Sequence, residues 1–218
     1  ELSAASYTPR TIAIGTNTDA YQPIEKKLRI MRQILEVLAR FNHPVGIVTK
    51  SALVQRDIDI LAPMAAQGLA KVAMSLTTLD PKVARTMEPR AASPAKRLET
   101  IRRLSEAGIP VTVLVAPIIP AINEHEIERI LDAAKAAGAT EAGYVLLRLP
   151  LEVKDLVQDW LLTHHPDKLR HVVSLIRSTR GGKDYDAAWG QRQVGSGPYA
   201  WMIGRRFEMA AERLGFNG

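Results

Sequence analysis

Five short apolar runs, spaced by helical patterns, constrain this chain more than any other feature. They are TIAIGT (11–16), PVGIVTK (44–50), KVAMSLT (71–77), PVTVLVAPI (110–118) and AGYVLLRL (142–149). Apolar residues at successive positions, many of them β-branched, suit parallel strands covered on both faces. Between the runs, apolar residues recur at three- and four-residue steps over 24–41, 53–67, 94–107 and 124–137, which is the period of an amphipathic helix. Gly108 and Gly138 follow two of these segments, as helix stops do. The order βαβαβαβαβ demands parallel pairing through right-handed crossovers. It closes as part of a (β/α) barrel or opens as a doubly wound sheet. No G-x-G-x-x-G follows the first strand, which weighs against the dinucleotide-binding version.

Beyond residue 150 the strand pattern stops. Residues 150–185 read as two amphipathic helices broken at Pro166, and the stretch from Tyr185 as a glycine-rich loop and a last helix. The expected organisation is a barrel core over 1–150 and a helical extension over 151–218 packed on it. At 218 residues and 46% hydrophobic, the chain is long enough for one sizeable core. The net charge is +6, but the basic residues are spread along helices rather than clustered, so polyanion binding is permitted without being singled out. No apolar run approaches the roughly 18–20 residues that span a bilayer, and the opening ELSAASYTPR lacks the apolar region of a signal peptide. A cytoplasmic location without membrane contact is expected. The chain starts at Glu1 and enters a strand by Thr11, as the middle and end of a larger protein would. It has no cysteine, which excludes disulfides, thiolate metal sites and thiol nucleophiles within it.

Polar residues collect where the strands end: Asn17 and Asp19; Thr49, Lys50 and Ser51; Ser75, Thr77 and Thr78; Asn123; Arg148. In a barrel that face binds ligands. Taken alone, GTNTD (15–19) also reads as a turn with a helix cap; five such ends together favour a site. Lys50 has three readings: a Schiff-base lysine, a cation for a carboxylate or phosphate, or a rim lysine in solvent. Glu88-Pro89-Arg90 reads either as a loop, with Ser93 capping the next helix, or as a placement of Arg90 toward an anion. In NEHEIERIL (123–131), Glu124, His125 and Glu128 invite a metal reading, but H-E-x-x-H is absent and acids suit a first helical turn. His164 and His165 simply end a helix before Pro166. No metal ligand is assigned.

As a set, GTNTDAYQPIEKKL, PVGIVTKSALVQ, SLTTLD, MEPRAASPAKRL, VAPIIPAIN, GYVLLRLPLEVK and PDKLRHVVSLIRSTRGGKDYD resemble the radical S-adenosylmethionine superfamily, and more closely its bacterial branch related to spore photoproduct lyase. The resemblance implies a partial TIM-like (β/α)6 barrel. Its first strand leads into a C-x-x-x-C-x-x-C loop whose thiolates hold a 4Fe–4S cluster, and S-adenosylmethionine binds beside that cluster. Cleavage of the cofactor yields a 5′-deoxyadenosyl radical for hydrogen abstraction. The five strands here would be the second to sixth, and the cysteine ligands would lie upstream of this segment, which is then inactive alone. By position, Asn17 and Asp19 stand where the family contacts the methionine part of the cofactor. Lys50 stands where a lysine reaches its carboxylate, and Ser75 near the ribose. Pro117 and Arg148 lie in the stretches that shelter the adenine. Arg90 remains a candidate for substrate or another anion. An electron donor such as flavodoxin or ferredoxin is implied as partner, and nucleic acid is admitted as one. The photoproduct lyases carry a cysteine where Asn17 stands here, so the substrate is open. The sequence admits two other readings: a Schiff-base barrel lyase using Lys50, and a basic nucleic-acid-binding module, which lacks a recognised motif.

Overall fold

A computed structural model of the chain describes residues 2–4, 6–183 and 192–218. All five expected strands form: β1 (Ile12–Ile14), β2 (Val45–Thr49), β3 (Ala70–Ser75), β4 (Val111–Ile118) and β5 (Glu141–Leu146). They make one sheet in the order β1-β2-β3-β4-β5. Ile12 pairs with Val45, and Val45 with Ala70, in parallel register. This is the α/β architecture that the alternating pattern dictates. Two glycine stops hold as well, with left-handed φ of +75° at Gly108 and +100° at Gly138.

The helices are α1 (Glu25–Leu28), α2 (Ile30–Arg40), α3 (Ile58–Ala66), α4 (Pro81–Met87), α5 (Pro94–Glu106), α6 (Ile127–Ala136), α7 (Glu152–His164), α8 (Leu169–Ser178) and α9 (Gly197–Arg213). Ser93 caps α5, accepting from the Lys96 N–H at 3.3 Å, and Pro166 separates α7 from α8 as expected. The segment 24–41, in contrast, is two helices. Arg29 turns left-handed, with φ +53° and ψ +34°. The buried Glu25 carboxylate then accepts from the Ile30 and Met31 N–H groups at 3.1 and 3.0 Å. A new helix start leaves N–H groups without partners, and this carboxylate satisfies two of them. The apolar period runs through the break unchanged, so periodicity could not reveal it. The glycine-rich loop expected after Tyr185 falls partly on 184–191, outside the described residues.

The chain divides into two compact units. The first comprises 1–75, 90–113 and 133–141; its core holds Leu35 of α2, Ile47, Leu61, Val72, Leu104 and Val113, all buried. The second comprises 76–89, 114–132 and 142–218. There Leu161 of α7 and Val172 and Ile176 of α8 pack with Ile119, Ile122, Leu147 and Leu149, which follow β4 and β5. No helix among the described residues is long and apolar enough to cross a membrane.

Candidate functional site

The first unit carries a cavity of about 740 Å³, within the range of small-molecule sites. Its construction begins at Gly15, which has φ +92°. A Cβ there would lie 2.0 Å from the Val48 carbonyl oxygen, so only glycine lets the chain leave β1 against β2. Four residues later Asp19 turns back onto the end of β2. One carboxylate oxygen accepts from the Thr49 hydroxyl at 2.7 Å and the Tyr21 N–H at 2.8 Å; the other accepts from the Lys50 N–H at 2.7 Å. Thr49 in turn accepts from the Ser51 N–H at 2.9 Å, and the Ser51 hydroxyl from the Leu53 N–H at 3.3 Å. The backbone on both sides of Lys50 is thereby fixed, and its side chain lines the cavity.

Beneath the cavity lies a buried charged network. Tyr21, which lines the cavity and is nearly inaccessible, donates its hydroxyl to the fully buried Asp57 at 2.9 Å. Arg56 holds the same carboxylate with two bonds of 3.0 Å, and Arg32 approaches it at 3.2 Å. Burial pushes the Tyr21 phenol well above its ordinary range, and the Asp57 charge and hydrogen bond push it further. A buried carboxylate is tolerable because three donors surround it. On another wall, Arg90, Ala91 and Ala92 reach the cavity. The buried Arg97 anchors that segment, donating to the Ala92 carbonyl at 2.8 Å and to the Ser75 carbonyl at 3.0 Å.

The structure brings Asp19, Lys50 and Arg90 to one cavity. Asp19 caps no helix: the residue before α1 is Ile24, without a side-chain cap. Asn17 is exposed and lies outside the cavity lining. Ser75 is buried, also outside that lining, with its carbonyl taken by Arg97. Pro117 and Arg148 belong to the second unit; Pro117 follows a cis peptide bond, and its carbonyl accepts from Asn123 at 3.0 Å. Sequence reasoning missed Lys26, which lines the cavity from α1, and the Tyr21–Asp57–Arg56 network. Tyr21 was visible as an aromatic among small polar residues. Nothing local marks Asp57 as its partner, 36 residues away.

In the second unit the acids of NEHEIERIL are all engaged. Glu126 is buried and accepts from the Thr78 hydroxyl and the Leu79 N–H. Glu124 accepts from the Tyr199 hydroxyl, and Glu128 forms a two-pronged pair with Arg206 at 2.8 and 2.9 Å. Among the described residues no group of three or more His, Cys, Asp or Glu side chains could hold a metal ion. With no cysteine in the chain, these residues do not fit the thiolate ligation of an iron–sulfur cluster.

The family model of the radical SAM superfamily matches residues 1–134. An uncharacterized protein of Mycobacterium tuberculosis is 34% identical over 179 residues, covering 81% of this chain and 53% of that relative. An uncharacterized protein of Methanocaldococcus jannaschii is 30% identical over 115 residues, 53% of this chain and 43% of its own. The chain thus spans about half the length of the curated relatives it matches, or less. Among solved structures, a mutant of spore photoproduct lyase superposes with a TM-score of 0.60 at 14% identity, over 96% of this chain and 59% of that one. A mutant of that lyase with dinucleoside spore photoproduct gives 0.56 at 14% identity, over 96% and 60%. At such identities the likeness is one of fold, and it is the barrel-type α/β fold expected.

Proposed function

Because this chain belongs to the radical SAM superfamily, we propose that it is the cofactor-binding part of a longer enzyme, with Lys50 receiving the carboxylate of S-adenosylmethionine. The observation that carries this reading is the clamp of Asp19 and Thr49 on the Lys50 backbone, which sets one cation at the wall of a ligand-sized cavity. In this reading Asp19 is a positioning residue that acts through Lys50. An amino-acid head group needs a cation and polar partners, and an adenosyl group needs apolar walls. Lys50 and Ser51 supply the first; Pro23, Leu53 and Ala92 contribute to the second. Beside a 4Fe–4S cluster, the bound cofactor supplies radical chemistry for hydrogen abstraction.

The cluster's thiolates come from elsewhere in the longer protein, in a strand and helix laid against β1. Two features support this. β1 ends the sheet order, with Ile12 exposed, and α2 with the Phe41 that follows it exposes a second apolar stripe of Ile30, Ile34, Val37 and Phe41. Residues 1–150 then form the barrel core and 151–218 its extension. Ser75, Pro117, Arg148 and Asn17 are assigned to the remainder of the cofactor by position alone. An electron donor of the flavodoxin or ferredoxin kind completes the system, in the cytoplasm.

The test is Lys50→Ala in the full-length protein with its cluster reconstituted. Equilibrium dialysis should show S-adenosylmethionine affinity reduced by about one to two decades, the value of a charge-assisted hydrogen bond, with the cluster's absorption unchanged. Lys50→Arg should recover little, since a planar fork does not replace a compact ammonium. Unchanged affinity in the alanine variant removes Lys50 from the site.

A further inference from the structure

The second unit carries a hollow of its own, about 340 Å³ in volume, between β5, the segment 194–197 and α9. None of its residues lines the cofactor cavity. One wall is Trp201, which is 71% exposed and has no ring contact or hydrogen bond among the described residues. An indole this bare keeps a large apolar face in water, and an exposed aromatic beside a concave surface marks a contact site. The exposed Val194 extends the apolar rim.

Two hydroxyls of the same lining are uncommitted. The Tyr144 ring of β5 packs against Phe207, with centroids 4.8 Å apart, but its hydroxyl has no hydrogen-bond partner among the described residues. Burial raises the phenol above its ordinary range, and the Glu208 carboxylate raises it further, so at neutral pH it keeps its proton and can donate. Gly204 lets that hydroxyl lie against α9. Glycine weakens a helix interior, yet a Cβ here would stand 2.8 Å from the Tyr144 oxygen. Ser196 precedes α9 without capping it through its side chain, so its hydroxyl can also donate or accept.

Charge selects among ligands. Arg205 and Glu208 line the hollow and pair with each other at 3.1 Å, so the lining has no net charge. An anion finds no cation there that is not already paired, and a cation finds no unpaired carboxylate. A cage for an ammonium group needs several open aromatic faces, and Tyr144 has spent its ring on Phe207. One open indole face and two hydroxyls remain. They suit a flat, uncharged ring with nitrogen and oxygen atoms on its edge.

We infer that this hollow binds a small, uncharged, planar heteroaromatic molecule, stacked on Trp201 and hydrogen-bonded at its edge by Tyr144 and Ser196. The site stands whether or not Lys50 receives the cofactor.

Hypoxanthine, toluene and cyclohexanol are titrated into the full-length protein by calorimetry, and labelled S-adenosylmethionine is followed in parallel by equilibrium dialysis. Hypoxanthine should bind saturably, with an affinity that salt does not change, because neither partner brings a net charge. Toluene, flat but without a polar edge, should bind at least about twofold more weakly, and cyclohexanol, which cannot stack, not at all. Trp201→Ala should weaken hypoxanthine at least about fivefold, the low end of ring-on-ring stacking, and Trp201→Phe should keep most of the affinity. Tyr144→Phe should weaken hypoxanthine about two- to tenfold and leave toluene unchanged, an asymmetry that a packing role alone does not produce. Both alanine and phenylalanine variants should keep the wild-type circular dichroism and S-adenosylmethionine affinity, since Trp201 is exposed and Phe at 144 retains the ring against Phe207. Hypoxanthine that fails to bind, or that binds Trp201→Ala as it binds the wild type, overturns the inference. So does complete displacement of hypoxanthine by S-adenosylmethionine, which would put the ring in the cofactor cavity. A full-length protein that sediments as a dimer and falls to a monomer in Trp201→Ala also overturns it, and gives the indole to a second copy.

Discussion

Replacing Asp19 decides whether the loop after β1 is a helix cap or a clamp between strands. Its carboxylate accepts three hydrogen bonds, from the Thr49 hydroxyl, the Lys50 N–H and the Tyr21 N–H, at 2.7 to 2.8 Å. Bonds to a charged acceptor contribute roughly 1.5–3 kcal/mol each. They share one side chain and are not additive, and water reaches part of this half-buried site once the carboxylate is gone. Thr49, only 2% exposed, is the donor that water replaces least well. Asp19→Ala should therefore cost about 3 kcal/mol, which lowers the melting temperature by roughly 6–12 °C for a chain of this size. A lost cap costs about 0.5–2 kcal/mol, so alanine alone separates the two poorly. Asparagine separates them well. At a cap, Asn performs as Asp does. In the clamp its amide NH2 must face either the Lys50 N–H or both the Thr49 hydroxyl and the Tyr21 N–H, so Asp19→Asn should lose about half of the alanine effect. Thermal unfolding of the 218-residue chain reads the stability, and hydrogen exchange at the Lys50 amide reads the bond itself. An asparagine variant that melts with the wild type and keeps that amide protected refutes the clamp.

Gly15→Ala should cost at least about 3 kcal/mol and show as loss of cooperative melting, because its Cβ would overlap the Val48 carbonyl at 2.0 Å; normal melting would mean the loop leaves β1 differently. Tyr21→Phe removes the hydroxyl bond to Asp57 and should lower stability by about 1–3 kcal/mol in urea unfolding. Because folding raises the Tyr21 phenol, its contribution is complete below the ordinary tyrosine value of about 10 and is lost as pH climbs past it; the wild type should lose more stability above that pH than Tyr21→Phe. Ile34→Glu lies on the exposed stripe of α2 and should change the isolated chain by less than about 0.5 kcal/mol. In the full-length protein it should cost about 1.5–3 kcal/mol, the value of a buried isoleucine; equal effects in both would mean that nothing covers the stripe.

The strands were legible because a parallel strand covered on both faces must be apolar residue after residue, and few other structures ask for that. The caps and stops around α5 and Gly138 were legible because they are local: Ser93 meets Lys96 three residues on. The break at Arg29 was not, since a left-handed residue and an inward Glu25 leave the apolar period intact. Nor was Lys26. An exposed lysine on an amphipathic helix is the commonest of surface features, and it acquires meaning only when Arg90, 64 positions later in a chain numbered throughout, lines the same cavity.

Polar residues at the ends of parallel strands answer two different needs, and their type does not say which. A strand end leaves N–H and carbonyl groups beyond the ladder, and those that are buried must find partners. Asn123 spends its whole amide on this need. Its oxygen accepts from the Ile119 N–H at 2.6 Å, and its nitrogen donates to the Thr77 and Pro117 carbonyls at 2.7 and 3.0 Å. Asp19 and Thr49 do the same work at the end of β2. Short polar side chains reach only the backbone nearest to them, so a cluster of them is as much a sign of knitted strands as of a ligand. Lys26, Lys50 and Arg90 differ because a long cationic side chain projects past the backbone its neighbours are repairing. Its charge can be carried to a ligand that the short side chains do not reach. The chemistry of this site is therefore written in its cations, and the hydrogen-bonding residues around them hold the frame on which those cations are mounted.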